Sequence, residues 1–507
     1  MKLSSRGLIV DGLILCAWFA SLGLVMWQEQ GMWGGSGNPA TTLVATLEAK
    51  EQWFSITYQG HRVGFTQMTL VPSERDGVPG VEVSDRGRLS FALLGAPQQL
   101  DVSARAFIDA DWRVQVFTAS LRSSTMDMTW AGQRHGDALD ITVKTPNATV
   151  AKRLRDPHGA AFITGLSSWA AFHRLRAGQT GTAWVLNPLA MNPEPVHFVV
   201  RRTERFENRT VFVVESEVSG LIATTWVTPE GEVLKESSPL GWELHQTSRE
   251  DAMKSASESH ATLDLLSMAA VPLDRPIDHP ETVTQLTLLV EGLRPDDVPS
   301  DRPWQQVLGA EQLQQQWKRQ APAEPWSLVR IRGTQHNVNA VPANQPRLRY
   351  RHATTFVQSE DPRIIAKARD IIGTRTDPWE QALAINDWTH HTITKQLSVG
   401  LPSAVDILAT PVGDCHEHTV LFTALARSVG IPTRMDAGLV YWDGKLYYHA
   451  WPEVWVEHQW VPMDPTLGQP IADATHLILG EAEDESLIAL GQFIGKLRMT
   501  VLEITHD

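Results

Sequence analysis

The polarity pattern changes period along the chain, and each change marks an element type. The first segment is a continuous apolar run from Leu8 to Trp27, with Lys2 and Arg6 before it and Asp11 as its one charged residue. A helix of about twenty residues is about 30 Å long, the thickness of a bilayer core. The run therefore predicts a transmembrane signal-anchor over residues 1–29, followed by a Gly/Ser/Asn/Pro stalk over residues 30–48. The basic flank predicts a cytoplasmic N-terminus. The expected location is the inner (plasma) membrane, single-pass, with the body in the periplasm or otherwise outside the cytoplasm. A cleaved signal peptide is the rival reading, but the apolar run continues past Ala17 and Ala20 to Met26, which argues against a cut there.

From Trp53 to about Gln246 the period becomes two. Trp53 to Tyr58 and Arg62 to Phe65 flank Gln59-Gly60-His61, a hairpin signature. Alternating runs recur at 100–108, 114–121, 139–143, 196–201, 211–218 and 222–227, separated by Asp76-Gly77, Gly136-Asp137 and Glu230-Gly231. A helix is predicted at 160–175. An antiparallel meander curled around an apolar face accounts for this region, taken as a β-rich domain over residues 49–268. A spacer with a filled core is the simplest role for it; a carrier of lipid or peptide is the alternative. Residues 269–350 are proline-rich, with one strand-like run at 283–290 and a short polar helix at 305–320, and read as a linker or small β-unit. From Asp361 the period becomes helical: Asp361-Pro362 and Asp377-Pro378 open two helices, Ser403 opens a third short element, and residues 351–507 form the last domain. The fold class expected for the whole is α+β.

Composition narrows the function classes. Lys plus Arg is 44 against 58 for Asp plus Glu, a net charge of −14, and no basic run is present, which excludes nucleic acid as a partner. Nineteen tryptophans read as core and interface filling. The two cysteines, Cys16 and Cys415, cannot make a disulfide framework, since Cys16 lies in the apolar N-terminal run. Leu15 before Cys16 argues against a lipidated cysteine.

Cys415 carries the chemistry. Val412-Gly413-Asp414 read as a turn before it, and Val420, Leu421, Leu425 and Val429 follow at helical spacing until Gly430-Ile431-Pro432 stops the helix. Cys415 thus starts a helix, where the dipole favours a thiolate and the unpaired N–H groups are suited to a developing oxyanion. His449 lies on the strand after a Gly-turn hairpin, and Asp464 ends the next strand-like run. Adjacent antiparallel strands would set His449 beside Asp464, with Cys415 brought against them: a thiol nucleophile, its base, and the group that orients the base. Cys415, His416, Glu417 and His418 also look ligand-rich, but on a helix Cys415 and His418 share a face while His416 points elsewhere, and no second cysteine cluster exists, so neither a metal nor another cofactor is expected. Glu417 and His418 read as packing around the site, and Arg427 and Arg434 as surface or structural charges. The Cys415 thiol itself is expected to be partly exposed.

The segments Gly-Asp-Cys-His-Glu-His, Leu-Phe-Thr-Ala-Leu-Ala-Arg-Ser-Val-Gly-Ile-Pro-Thr-Arg, Tyr-His-Ala-Trp-Pro-Glu-Val-Trp-Val and Trp-Val-Pro-Met-Asp-Pro-Thr resemble the transglutaminase-like superfamily over residues 403–479, and back to about Asp361. The resemblance implies a papain-like core with Cys415, His449 and Asp464 as the catalytic residues and acyl-enzyme chemistry on a protein or peptide substrate, placed in the cell envelope by the expected anchor. Hydrolysis of an amide, transfer of the acyl group to an amine, and a non-catalytic scaffold are the three functions to separate. The expected reaction is hydrolysis.

Overall fold

The computed structural model describes residues 48–93, 96–110, 113–123, 127–156, 161–162, 175–187, 192–218, 221–238, 241–258, 269–299, 301–323, 325–334, 348–396, 402–482 and 493–507. The chain divides into two compact units, one within residues 13–264 and the other within residues 265–507.

The first unit is a 15-stranded sheet built from two meanders. Strands Lys50–Tyr58 through Thr149–Arg155 pair in sequence order on one side. Strands Trp242–Thr247 back to Thr180–Asn187 do so on the other, and the two halves meet where Lys50–Tyr58 pairs antiparallel with Trp242–Thr247. The turns form where the sequence marks them. Tyr58 pairs with His61 around Gln59 and Gly60, both at positive φ, the conformation a two-residue hairpin needs to match strand twist. Arg75 pairs with Val78 around Asp76-Gly77, and His135 with Ala138 around Gly136-Asp137. Period-two burial is clear on strand Asp127–His135, where Met128 and Trp130 are buried between exposed Asp127 and Ala131. Ala161–Phe162 form a short strand, and the rest of the helix predicted at 160–175 lies almost wholly outside the described residues.

In the second unit, the proline-rich segment supplies strands. Gln305–Leu308, Trp326–Arg332 and Val283–Glu291 form a four-stranded antiparallel sheet with Arg498–His506. Val271–Pro272 pairs with Lys445 and Leu446. Residues on either side of 350 are thus joined through shared sheets. Buried charges reinforce the join: Arg302 bonds Asp436, Arg434 bonds Glu453, and Arg434 reaches Asp301 at 2.9 Å while its guanidinium lies 4.2 Å over Trp460. Arg434 and Arg427 are both buried, Arg427 donating to the Thr433 and His352 carbonyls; neither is a surface charge.

Helices Pro362–Ile372, Pro378–Thr392, Ala404–Ala409 and Cys415–Ser428 begin at Asp361, Asp377, Ser403 and Asp414, each side chain accepting from a first-turn N–H. The Cys415–Ser428 helix is buried from Cys415 to Arg427, which it achieves by packing against the other three helices and against strands Thr433–Trp442 and Lys445–Val456.

Two expectations are corrected. The protein is mostly β, dominated by the large antiparallel sheet, rather than α+β, because the described residues of the first unit are mostly strand, with one helix at Arg249–Glu258. Among the described residues no helix is long and apolar enough to cross a membrane, which conflicts with the single-pass inner-membrane placement. The longest of these helices, Pro378–Thr392, has 15 residues and buries Asn386 and Thr389, short of the roughly 20 apolar residues a span requires. The predicted anchor and stalk, residues 1–47, lie outside the described residues.

Candidate active site

Strands Thr433–Trp442 and Lys445–Val456 pair antiparallel, and Gln459–Pro462 adds to the second through Glu453↔Pro462 and Val454↔Val461. This pairing returns the chain so that Asp464 comes up beside His449. His449 Nε2–H donates to Asp464 Oδ2 at 2.7 Å, and both side chains are fully buried. The acceptor-only carboxylate fixes the tautomer. It leaves Nδ1 of His449 as the nitrogen with a lone pair, buried and without a hydrogen-bond partner among the described residues. The Trp451 indole stacks on the His449 ring at 5.8 Å.

Asp464 is held from all sides. Its Oδ1 accepts the backbone N–H groups of Thr466 and Leu467 at 2.8 and 2.9 Å, and its Oδ2 accepts from His476 Nε2 at 3.1 Å as well as from His449. Burial alone would push the carboxyl up, but His449 and His476 outweigh it and hold it well below the usual carboxylate range.

Cys415 is the first residue of its helix and is fully buried, not partly exposed as expected. One turn on, Thr419 donates to the carbonyl of Ala450, the residue after His449, at 3.1 Å. Positions 415 and 419 share a helix face, so the face that carries the sulfur is the one laid on the histidine strand. Asp414 and Glu417 form a reciprocal cap. The Asp414 N–H donates to Glu417 Oε2 at 2.7 Å, and the Asp414 side chain accepts from His416 and Glu417. The N–H groups of Asp414, His416 and Glu417 are therefore spoken for, and the oxyanion role expected of the helix start does not fall to them.

Neither histidine beside Cys415 is set up as a base. Burial lowers His416 to about 3, and lowers His418 to about 4 against the opposing hydrogen bond to Asp414, so both are neutral. His418 Nδ1 donates to the Asp414 carbonyl at 2.5 Å and braces the turn. Among the described residues, the His/Cys/Asp/Glu group whose ligand atoms converge within 4.8 Å is His449, Asp464 and His476, not the run from Cys415 to His418.

His476 and its partner Asp473 are the site residues that sequence reasoning missed. The Asp473-Ala474-Thr475-His476 stretch forms a turn in which Asp473 accepts from Thr475 and from His476 Nδ1. The signal in the sequence was slight, an Asp three residues before a His, shortly after Asp464.

Residues 365–465 match the family model described as the transglutaminase-like superfamily. Comparison with curated proteins gives no match. Among solved structures, a candidate cysteine protease from Cytophaga hutchinsonii is similar at 15% identity, covering 44% of this chain and 86% of its own, with a TM-score of 0.28. A β-barrel-like protein from Brucella abortus is similar at 10% identity over 39% of this chain and 94% of its own, TM-score 0.29. A candidate protease from Parabacteroides distasonis is similar at 9% identity over 85% of this chain and 68% of its own, TM-score 0.21. At these scores the structural likenesses carry no argument.

Proposed function

From the match to the transglutaminase-like superfamily at 365–465, we propose that this protein is a cysteine-dependent enzyme that cleaves amide bonds of a protein or peptide through an acyl-enzyme, with Cys415, His449 and Asp464 as its catalytic residues. The observation that carries the reading is His449, bonded to Asp464 through Nε2 while Nδ1 keeps a bare, buried lone pair on the strand against which the Cys415 helix packs.

In this mechanism His449 Nδ1 takes the proton of the Cys415 thiol, and the thiolate attacks the amide carbonyl carbon. The imidazolium formed is stabilised by Asp464, which stays ionised because its other bonds hold it so. Collapse of the tetrahedral intermediate breaks the C–N bond as His449 returns the proton to the departing amine. Water, its proton accepted by His449, then opens the thioester. A second reading, in which an amine opens the thioester, draws on the burial of Cys415, His449 and Asp464, since a site that excludes water gives an amine its advantage.

The test is a glutamine peptide supplied with and without a primary amine, following ammonia release and amine incorporation. Cys415→Ala and His449→Ala are expected to abolish both. Asp464→Asn should keep a residual rate, since it disturbs tautomer and orientation rather than removing the nucleophile. Full turnover by folded Cys415→Ala would end the catalytic reading, and incorporation outrunning hydrolysis would make amine transfer the reaction.

A further inference from the structure

We propose that His476 is a positioning residue of this site: a doubly protonated imidazole clamped between Asp473 and Asp464 that locks the carboxylate His449 leans on and, through its charge, sets the pH at which the Cys415 thiol gives up its proton. The inference rests on the catalytic reading of Cys415, His449 and Asp464.

The geometry requires the charge. His476 Nε2 faces Asp464 Oδ2 at 3.1 Å, and its Nδ1 faces the Asp473 carbonyl at 3.1 Å and Asp473 Oδ1 at 3.2 Å. Carboxylate and carbonyl oxygens accept and do not donate, so both nitrogens must carry hydrogen. A ring in that state has no lone pair to offer a metal, which makes the convergence of His449, Asp464 and His476 a hydrogen-bonded chain. The ring is 4% exposed and stands edge-on to Trp451 at 4.9 Å, so water does little to screen it. Burial works against this protonation, but the bonds and charges of Asp464 and Asp473 overcome it and raise His476 to about 10.

The result is a line of four groups, Asp473, His476, Asp464 and His449, in which one carboxylate serves two imidazoles. The other titratable groups about Asp464 are Lys395, His390 and His418. Lys395 is lowered by burial and His418 is neutral, while His476 donates directly to the carboxylate. The His476 and His449 ring centres are 6.0 Å apart. A buried positive charge at that range lowers the pKa of an imidazole or thiol beside it. Without that charge in the site the Cys415 thiol is expected to be harder to deprotonate.

The experiment is the pH profile of Cys415 alkylation by iodoacetamide in the full chain, wild type against His476→Gln, which keeps a donor and loses the charge. The acid limb is expected to move up by roughly one pH unit in His476→Gln, with circular dichroism verifying the fold. In His449→Ala the limb should collapse to that of an unassisted thiol. An unmoved limb in folded His476→Gln would overturn the proposal while leaving the catalytic reading intact. A wild-type limb indifferent to His449→Ala would overturn the catalytic reading itself. Should His476→Gln fail to fold, the wild type still decides. Its 15N-histidine spectrum, with His476 assigned through bonds from its own backbone, is expected to keep both ring nitrogens protonated from about pH 6 to about 9. A neutral tautomer in that range would overturn the proposal.

Discussion

Asp464 receives four hydrogen bonds, two on each carboxylate oxygen, and every donor comes from a different residue. A carboxylate so fixed cannot rotate to follow His449, so the imidazole must be placed by its strand to within hydrogen-bond tolerance. The same economy of space governs Gly413. A Cβ there would lie 2.2 Å from Glu417 Cγ and 2.4 Å from Cδ, the side chain that folds back to cap Asp414. Gly413→Ala is expected to expel Glu417 from the cap, cost about 1 kcal/mol, and lower turnover by shifting Cys415. Urea titration and kinetics together test this, and wild-type values in both would mean that the turn absorbs a methyl group. At this scale the sequence was readable where residue type carries the chemistry: a Cys at a helix start, a His on a strand, and an Asp just past the next strand. It was not readable for His476 and Asp473. A histidine is marked as a clamp only by the acceptors around it, and those are brought by the fold. The burial of Cys415 was missed for a related reason, since the helix it opens is covered by three other helices and two strands.

Elements that begin with a local signal were legible. The pairs Asp361-Pro362 and Asp377-Pro378, and the Ser403–Asp406 and Asp414–Glu417 boxes, are complete within four residues, so no distant contact is needed to read them. Strand pairing between distant segments was not legible. Val283–Glu291 takes Arg498–His506 as its neighbour, and nothing local to either names the other. The Cys415 helix also has a thermodynamic signature. His416 and His418 stay neutral in the fold down to about 3 and about 4, whereas in an unfolded chain they bind protons below about 6.5. The unfolded state then holds more protons, so stability falls as pH drops from about 6.5. His476 has the opposite sign. Its folded value is raised to about 10, so its contribution is complete below about 6.5 and is lost as pH rises from there to about 10. Urea midpoints measured across pH should decline on both sides, and His476→Gln should flatten the alkaline arm. An alkaline arm unchanged by that substitution would assign it to another group.

At the scale of the whole molecule, the two units differ in how they are sewn. The second is stitched by long-range pairs, Val271–Pro272 with the His449 strand and Val283–Glu291 with Arg498–His506, so the region around the site depends on chain that lies far from it in sequence. Among the described residues the first is mostly neighbour-to-neighbour hairpins, with a long-range seam between Lys50–Tyr58 and Trp242–Thr247. That seam has a mechanical consequence. Trp53 lies across from Thr247 and Tyr58 across from Trp242, so the chain enters and leaves the sheet at the same end of one antiparallel pair. Tension drawn through residues 50 and 247 would open the pair like a zipper, loading its cross-strand bonds one after another, because in an antiparallel ladder those bonds run perpendicular to the strands. Pulled between residues 58 and 247 instead, the same bonds would be sheared together. An optical-trap comparison of the two attachments should find the first yielding at markedly lower force, and equal forces would mean that another part of the sheet gives way first. This unit would then be built to part at its own seam under load, with its hairpins still folded on either side.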